Sequence, residues 1–233
     1  MKRLGILGGL SAESTVSYYQ IIIREYVRRY RDVYYPEIII FNASLGQFLD
    51  WEEADRWDLA TNKIVEVFHV LANAGAEIGL IATNTLHRVF DEVAERSPIP
   101  LISIVDETAK AIKKTGISHV GLLGTRFTME ADFYQKGLNK FDISALVPQA
   151  PEERMEVHRI ITERLVRGII DPQDRMTILR IIKTLLEKGV QGIVLACTEL
   201  PLLIRPKDVP VPVFDTTRIH ALAALEAAVG ERA

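Results

Sequence analysis

Two short stretches of this sequence put an oxygen or a sulfur nucleophile at the same kind of junction. "IATNTLH" (81–87) ends a β-like apolar run and carries Thr83. "LACTELP" (195–201) does the same and carries Cys197, the single cysteine among 233 residues. A thiol where a strand ends and a helix begins lies near unpaired backbone N–H groups. Their partial positive charge favours a thiolate, lowering its pKa from the free value of about 8.5, and also suits a carboxylate ligand. Opposed proton-transfer groups around a flat anionic intermediate would let a proton leave one face and return on the other. The Thr83 hydroxyl is too weak an acid to exist as an alkoxide, so it can deliver or relay a proton but cannot match a thiolate as a base. Each residue also has a plainer reading, Cys197 as a small buried core residue and Thr83 as a helix cap.

The elements that would position these groups alternate along the chain. Strands are predicted at "RLGILG", "EIIIFNA", "EIGLIAT", "LISIV", "HVGLLG", "ISALVP", "GIVLAC" and "VPVFD". Between them lie predicted helices at "STVSYYQIIIREYVRRY", 59–73, 89–95, "DETAKAIKK", 129–138, 155–166 and 175–187, with a final helix after the last strand. This order predicts an α/β fold with mostly parallel, buried sheets. A long-period repeat sharpens it. "GILGG" (5–9) has a twin in "GLLGT" (121–125), and "GAEIGLIATNT" (75–85) has one in "GVQGIVLACTE" (189–199). A proline-flanked strand follows in both copies. Two similar α/β domains related by a pseudo-two-fold are expected: 1–98 plus 212–233, closed by the C-terminal helix, and 99–211. The crossovers are expected at "SPIP" and "DVPVP". Ligands of open α/β sheets bind beyond the carboxyl ends of the strands, so an active site in the cleft between the domains would set Thr83 and Cys197 on opposite faces of one ligand.

The segments "LGILGGLSAEST", "TNTLH", "ACTELPLLI", "LLGTRFTMEADFY" and "PVFDTTRIHA" together resemble the cofactor-independent aspartate/glutamate racemase family over essentially the whole chain. Members usually carry a cysteine in both junctions, and the two cysteines act as the two bases. This sequence keeps the second and has Thr83 in place of the first, so it resembles the threonine/cysteine branch, which includes L-aspartate/glutamate-specific racemases. The resemblance implies that Asn84, Thr85, Thr198 and nearby backbone N–H groups hold the substrate α-carboxylate, although local capping is the other role open to these side chains. Gln47, in "LGQFL", matches a loop position lining the family's pocket. Arg164 matches a basic contact to the side-chain carboxylate in some relatives. Without the family, Arg164 is one charge on a solvated helix; with it, an arginine's two parallel hydrogen bonds favour an acidic substrate. Leu10, with Ala12, departs from the commoner "GMSWEST" and bears on pocket shape. Glu199 is expected to cap its helix first and to tune Cys197 second, and His87 to lie on a helix face.

Composition narrows the alternatives. A net charge of −3 provides no broad basic field, so neither nucleic acid nor an anionic membrane is an expected partner. No apolar run approaches the roughly 18–20 residues of a membrane span, and "MKRLGILGGL" reads as a first strand rather than a signal peptide. A lone cysteine forms no intrachain disulfide, and a cytoplasmic location is expected. The five histidines show no metal-ligand spacing, and "GILGGLS" is neither a dinucleotide fingerprint nor a phosphate loop. The run "REYVRRYRDVYY" reads as an exposed or dimer-contact helix, and a homodimer is expected. The expected activity is racemisation of aspartate or glutamate without pyridoxal phosphate or metal, with Cys197 taking the α-proton of the L-isomer and Thr83 serving the other face. Two alternatives stand beside it: a one-cysteine decarboxylase or isomerase, and an inactive amino-acid-binding protein.

Overall fold

The structure is a computed structural model and describes residues 1–230. The chain divides into two compact units, Met1–Ile104 with the chain from His220 onward, and Val105–Ile219.

In the first unit β1 (Leu4–Gly8) leads to α1 (Ala12–Tyr30), β2 (Ile38–Asn42), α2 (Leu45–Glu53), α3 (Trp57–Asn73) and β3 (Ile78–Ile81). A 3-10 turn (Thr85–Val89), α4 (Phe90–Arg96) and β4 (Leu101–Ile102) follow. All four strands are parallel, in the order β2-β1-β3-β4. Apart from Asn42 at the end of the edge strand β2, the strands are apolar because helices cover both faces. On one face Leu7 and Ile81 pack with Phe48, Ile64, Phe68 and Leu71. On the other, Leu4, Ile6 and Leu80 pack with Tyr18, Ile22 and Tyr26 of α1 and with Ala224 and Leu225 of the last helix.

The second unit holds α5 (Ile104–Lys113, from its second residue), β5 (His119–Gly124), α6 (Arg126–Glu130), α7 (Phe133–Asn139), β6 (Ser144–Leu146) and α8 (Pro151–Arg159). A π-helical turn (Ile160–Arg164), a 3-10 turn (Leu165–Arg167), α9 (Pro172–Glu187), β7 (Gly192–Ala196), β8 (Val213–Asp215) and the start of α10 (Thr216–Val229) complete it. Its sheet, again parallel, runs β6-β5-β7-β8, the same order as the first. The sequence repeat is therefore a repeat of topology. Among the described residues no helix is long and apolar enough to cross a membrane.

Several expected boundaries move. The units divide at 104/105 and 219/220 instead of 98/99 and 211/212. The cause is pairing: β4 bonds to β3 and β8 to β7, so each strand after the prolines stays with its own sheet and the chain leaves only afterwards. The strand expected over "LISIV" keeps two residues, because α5 already begins at Ile104. The helix expected at 129–138 is broken at Ala131, which is extended at ψ 149°. The helix expected through 155–166 passes into the π turn at Ile160. Gln47 is not in a loop: it is an exposed residue of α2, a helix formed because Phe48 and Trp51, three apart, turn one face inward.

Candidate active site

In each sheet the chain turns opposite ways after the two central strands, which makes their carboxyl ends the crevice of that sheet. In the first unit these ends belong to β1 and β3. Gly9 turns the chain at φ +76°, where an added Cβ would lie 2.3 Å from the Ala43 carbonyl oxygen. Its N–H donates to Thr15 Oγ1 at 2.8 Å. Ser11 caps α1, accepting from the Ser14 N–H, and Ser14 Oγ lies 3.2 Å from the Ala82 carbonyl, so the β1 turn is tied to the exit of β3. Thr83 follows, half-buried, with its N–H donating to Ile81 O at 2.9 Å. Asn84 and Thr85 are buried beside it. Leu10 is buried in the core with Leu7, Ala43 and Phe48.

In the second unit Cys197 directly follows β7 and is 5% exposed. Its thiol donates to Glu199 Oε2 at 3.1 Å, and Thr198 Oγ1 donates to the same oxygen at 2.7 Å. Glu199 Oε1 is buried and has no hydrogen-bond partner among the described residues. Thr217, at the start of α10, likewise has a buried hydroxyl without a partner among the described residues. Thr216 Oγ1 donates to Leu195 O at 2.9 Å and fixes the end of β8 against β7. Burial raises the Asp215 carboxyl, although the Arg218 and Thr217 N–H groups pull it the other way.

The electrostatics of Cys197 correct the sequence expectation. Burial, and next the Glu199 carboxylate, hold the thiol well above its ordinary pKa, against the pull of the Glu199 and Leu200 backbone N–H groups. The element that follows is a three-residue 3-10 turn, Leu200–Leu202, too short to supply a helix dipole. At rest Cys197 is a thiol with a carboxylate positioned to take its proton. Glu199 makes no side-chain cap bond to that turn, so its geometry is that of a partner of the thiol.

Arg164 closes the π turn, and its Nη1 donates to Asp171 Oδ2 at 2.7 Å and to both oxygens of the buried Asp174 at 3.2 Å. It is thus no isolated surface charge. His87 lies on a helical face, as expected, in the 3-10 turn Thr85–Val89, and that face is buried. Its Nδ1–H donates to Thr83 O at 2.8 Å and its Nε2 accepts from the Ile104 N–H at 3.1 Å, a pattern that fixes the neutral tautomer. Sequence reasoning put Glu199 first as a helix cap, a bond the structure does not show, and did not foresee the hydrogen bonds of His87. Their signal was position alone, two residues after the cysteine and four after the threonine. Among the described residues no cluster of three or more histidine, cysteine or acidic side chains is arranged to hold a metal.

The model of the Asp/Glu/hydantoin racemase family matches residues 7–224. An aspartate racemase homologue from Pyrococcus horikoshii is 40% identical, covers 99% of this chain and 100% of its own, and superposes with a TM-score of 0.84. The aspartate racemase of Picrophilus torridus is 25% identical over 98% of this chain and 95% of its own, with a TM-score of 0.76. The broad-specificity amino-acid racemase RacX of Bacillus subtilis is 24% identical over 92% of each chain.

Proposed function

This chain belongs to the Asp/Glu/hydantoin racemase family, and from that premise we propose that it racemises an acidic amino acid, aspartate or glutamate, needing neither pyridoxal phosphate nor metal. The observation that carries the reading is the contact between Cys197 Sγ and Glu199 Oε2 at 3.1 Å. As the L-isomer reacts, the thiol proton passes to Glu199 Oε2, and the thiolate takes the α-proton. The carbanion is held through its α-carboxylate by the side chains and N–H groups of Asn84, Thr85 and Thr198. A solvent proton relayed through the Thr83 hydroxyl reaches the other face of the α-carbon, and Glu199 returns its proton to solvent, which closes the balance. Arg164 takes the distal carboxylate through Nε and Nη2, since the aspartates engage only Nη1. Leu10 and Gln47 receive no direct role, one being core and the other exposed.

The relatives named for aspartate support the acidic substrate, and the exposed Val16, Val27, Val33 and Tyr34 support a homodimer. A cytoplasmic setting, in which a lone thiol stays reduced, completes the proposal. A screen of L- and D-amino acids by polarimetry tests it: loss of optical rotation with aspartate or glutamate and little with alanine is expected. Rotation unchanged for every acidic amino acid sinks it. A second reading rests on the resting thiol. A protonated Cys197 without a second cysteine also suits a decarboxylase, in which it protonates a carbanion made by loss of carbon dioxide. Carbon dioxide release from a malonate-type acid identifies that case.

A further inference from the structure

The proton chemistry above leaves two buried histidines, His87 and His220, unused. The His87 ring is fixed from four sides. Its Nδ1–H donates to Thr83 O, and the Ile104 N–H donates to its Nε2. Phe90 stacks on it at 5.0 Å with the planes 7° apart. The His220 ring meets it edge-on at 5.9 Å. His220 is held in turn, accepting from Tyr18 OH at Nδ1 (2.8 Å) and donating from Nε2 to Ile102 O (2.9 Å). Neither imidazole has a ring nitrogen left over for substrate.

We propose that His87 is a positioning residue for Thr83, setting where the threonine hydroxyl stands at the end of β3. A peptide unit is planar, so holding its carbonyl fixes the whole unit. The unit before the Thr83 Cα is held by its N–H on Ile81 O at 2.9 Å. The unit after it is held by His87 on Thr83 O. Both backbone torsions of Thr83 are therefore set, and the hydroxyl keeps only χ1, which is stiff in a β-branched residue. The Ile104 N–H is a donor that the first turn of α5 cannot satisfy within its own helix. Filling it holds the imidazole in the tautomer that donates to Thr83. A relay needs this placement, because a displacement of about 1 Å can cost about 100-fold in rate.

This inference rests on the reading of Thr83 as the relay, and the test separates the two. The amide of an asparagine reaches the position of imidazole Nδ1, whereas that of a glutamine reaches Nε2. His87→Asn thus retains the donor to Thr83 and loses the acceptor for Ile104, and His87→Gln does the reverse. With aspartate as substrate, H87Q is expected to lose about 10- to 100-fold in kcat at nearly constant KM. H87N is expected to stay within about threefold of the parent, well inside that range. Phe90→Leu, which frees one face of the ring and keeps both hydrogen bonds, lowers kcat less than H87Q, again without changing KM. Equal kcat per folded molecule in H87N and H87Q, or a larger loss in H87N, overturns the proposal. Amide hydrogen exchange at residues 83–86 reads the same placement without any substrate, with faster exchange expected in H87Q than in H87N. Equal exchange in the two overturns the positioning role even if the chain racemises nothing. An inactive parent with the expected exchange difference overturns only the racemase reading.

Discussion

Acidification from about pH 7 to about pH 4.5 is expected to weaken this protein chiefly through His87 and His220. Burial, and then the neighbouring His220, push His87 down from 6.5 to about 3; burial pushes His220 down to about 4. In the unfolded chain both titrate near 6.5. A depressed pKa in the folded state means that the unfolded state binds more protons as the pH falls. The stability these neutral rings confer is therefore complete above about pH 6.5 and is lost on the way down to about pH 4 for His220 and about pH 3 for His87. At about 1.4 kcal/mol per pH unit for each proton, the pair contributes a slope of about 2.7 kcal/mol per unit, or about 5 kcal/mol over two units. That is of the order of a small domain's whole stability, about 5–15 kcal/mol. Glu52 works the other way. Burial raises it to about 7, so the folded chain keeps a proton there that the unfolded chain releases. Substituting one histidine at a time cancels this opposing contribution. Urea midpoints between about pH 7 and about pH 5, compared among the parent, His87→Asn and His220→Gln, are expected to give mean slopes shallower by about 1 kcal/mol per unit in each variant, since the unfolded histidine is only partly protonated at the upper end. Parallel profiles for all three proteins would refute the assignment of neutral, buried rings.

Glu199→Gln removes the carboxylate that holds the Cys197 thiol up, so alkylation by iodoacetamide near neutral pH is expected to quicken while racemisation falls; an unchanged alkylation rate removes Glu199 from the account. Arg164→Ala takes a cation from the buried Asp174 and is expected to cost about 1–3 kcal/mol in stability, less than a fully buried pair because Arg164 is one-third exposed. The same variant is expected to weaken aspartate by about 2–4 kcal/mol and leave alanine as poor as before; equal losses on both would make the arginine purely structural. Thr83→Cys places a conventional base at the first junction and is expected to raise the maximal D-to-L rate, whereas no change, together with full activity in Thr83→Ala, assigns the second proton to another donor.

Much of the fold was legible because its signals are local and repeated. Wholly apolar runs such as "LGILG" and "GIVLA" announce buried parallel strands, and the paired segments announce two copies of one topology. The units' limits were less legible. Proline-rich linkers look like crossovers, but backbone pairing of β4 and β8 decides where the chain leaves a sheet. Helix α2 was missed because its inward face is carried mainly by Phe48 and Trp51, too few residues to show a period. At the site, the positions of Thr83 and Cys197 followed from the strand ends. The state of the thiol did not, since it depends on burial and on which way the Glu199 side chain turns. The setting of Arg164 needed Asp171 and Asp174, seven and ten residues away across a turn, to be brought onto one nitrogen. His87 needed Ile104, seventeen residues on. Spacing within a single element carries none of these contacts.

The measurement that bears most directly on the account is proton NMR of L-aspartate and L-glutamate in deuterium oxide with the parent protein and with Cys197→Ser. The account predicts that the α-proton signal of at least one acidic amino acid disappears with the parent, with solvent deuterium appearing in both enantiomers. It predicts almost no exchange in the serine variant, whose hydroxyl is a far weaker acid than a thiol and cannot supply the base. An α-proton signal that persists with the parent, or exchange that continues undiminished in Cys197→Ser, would contradict it.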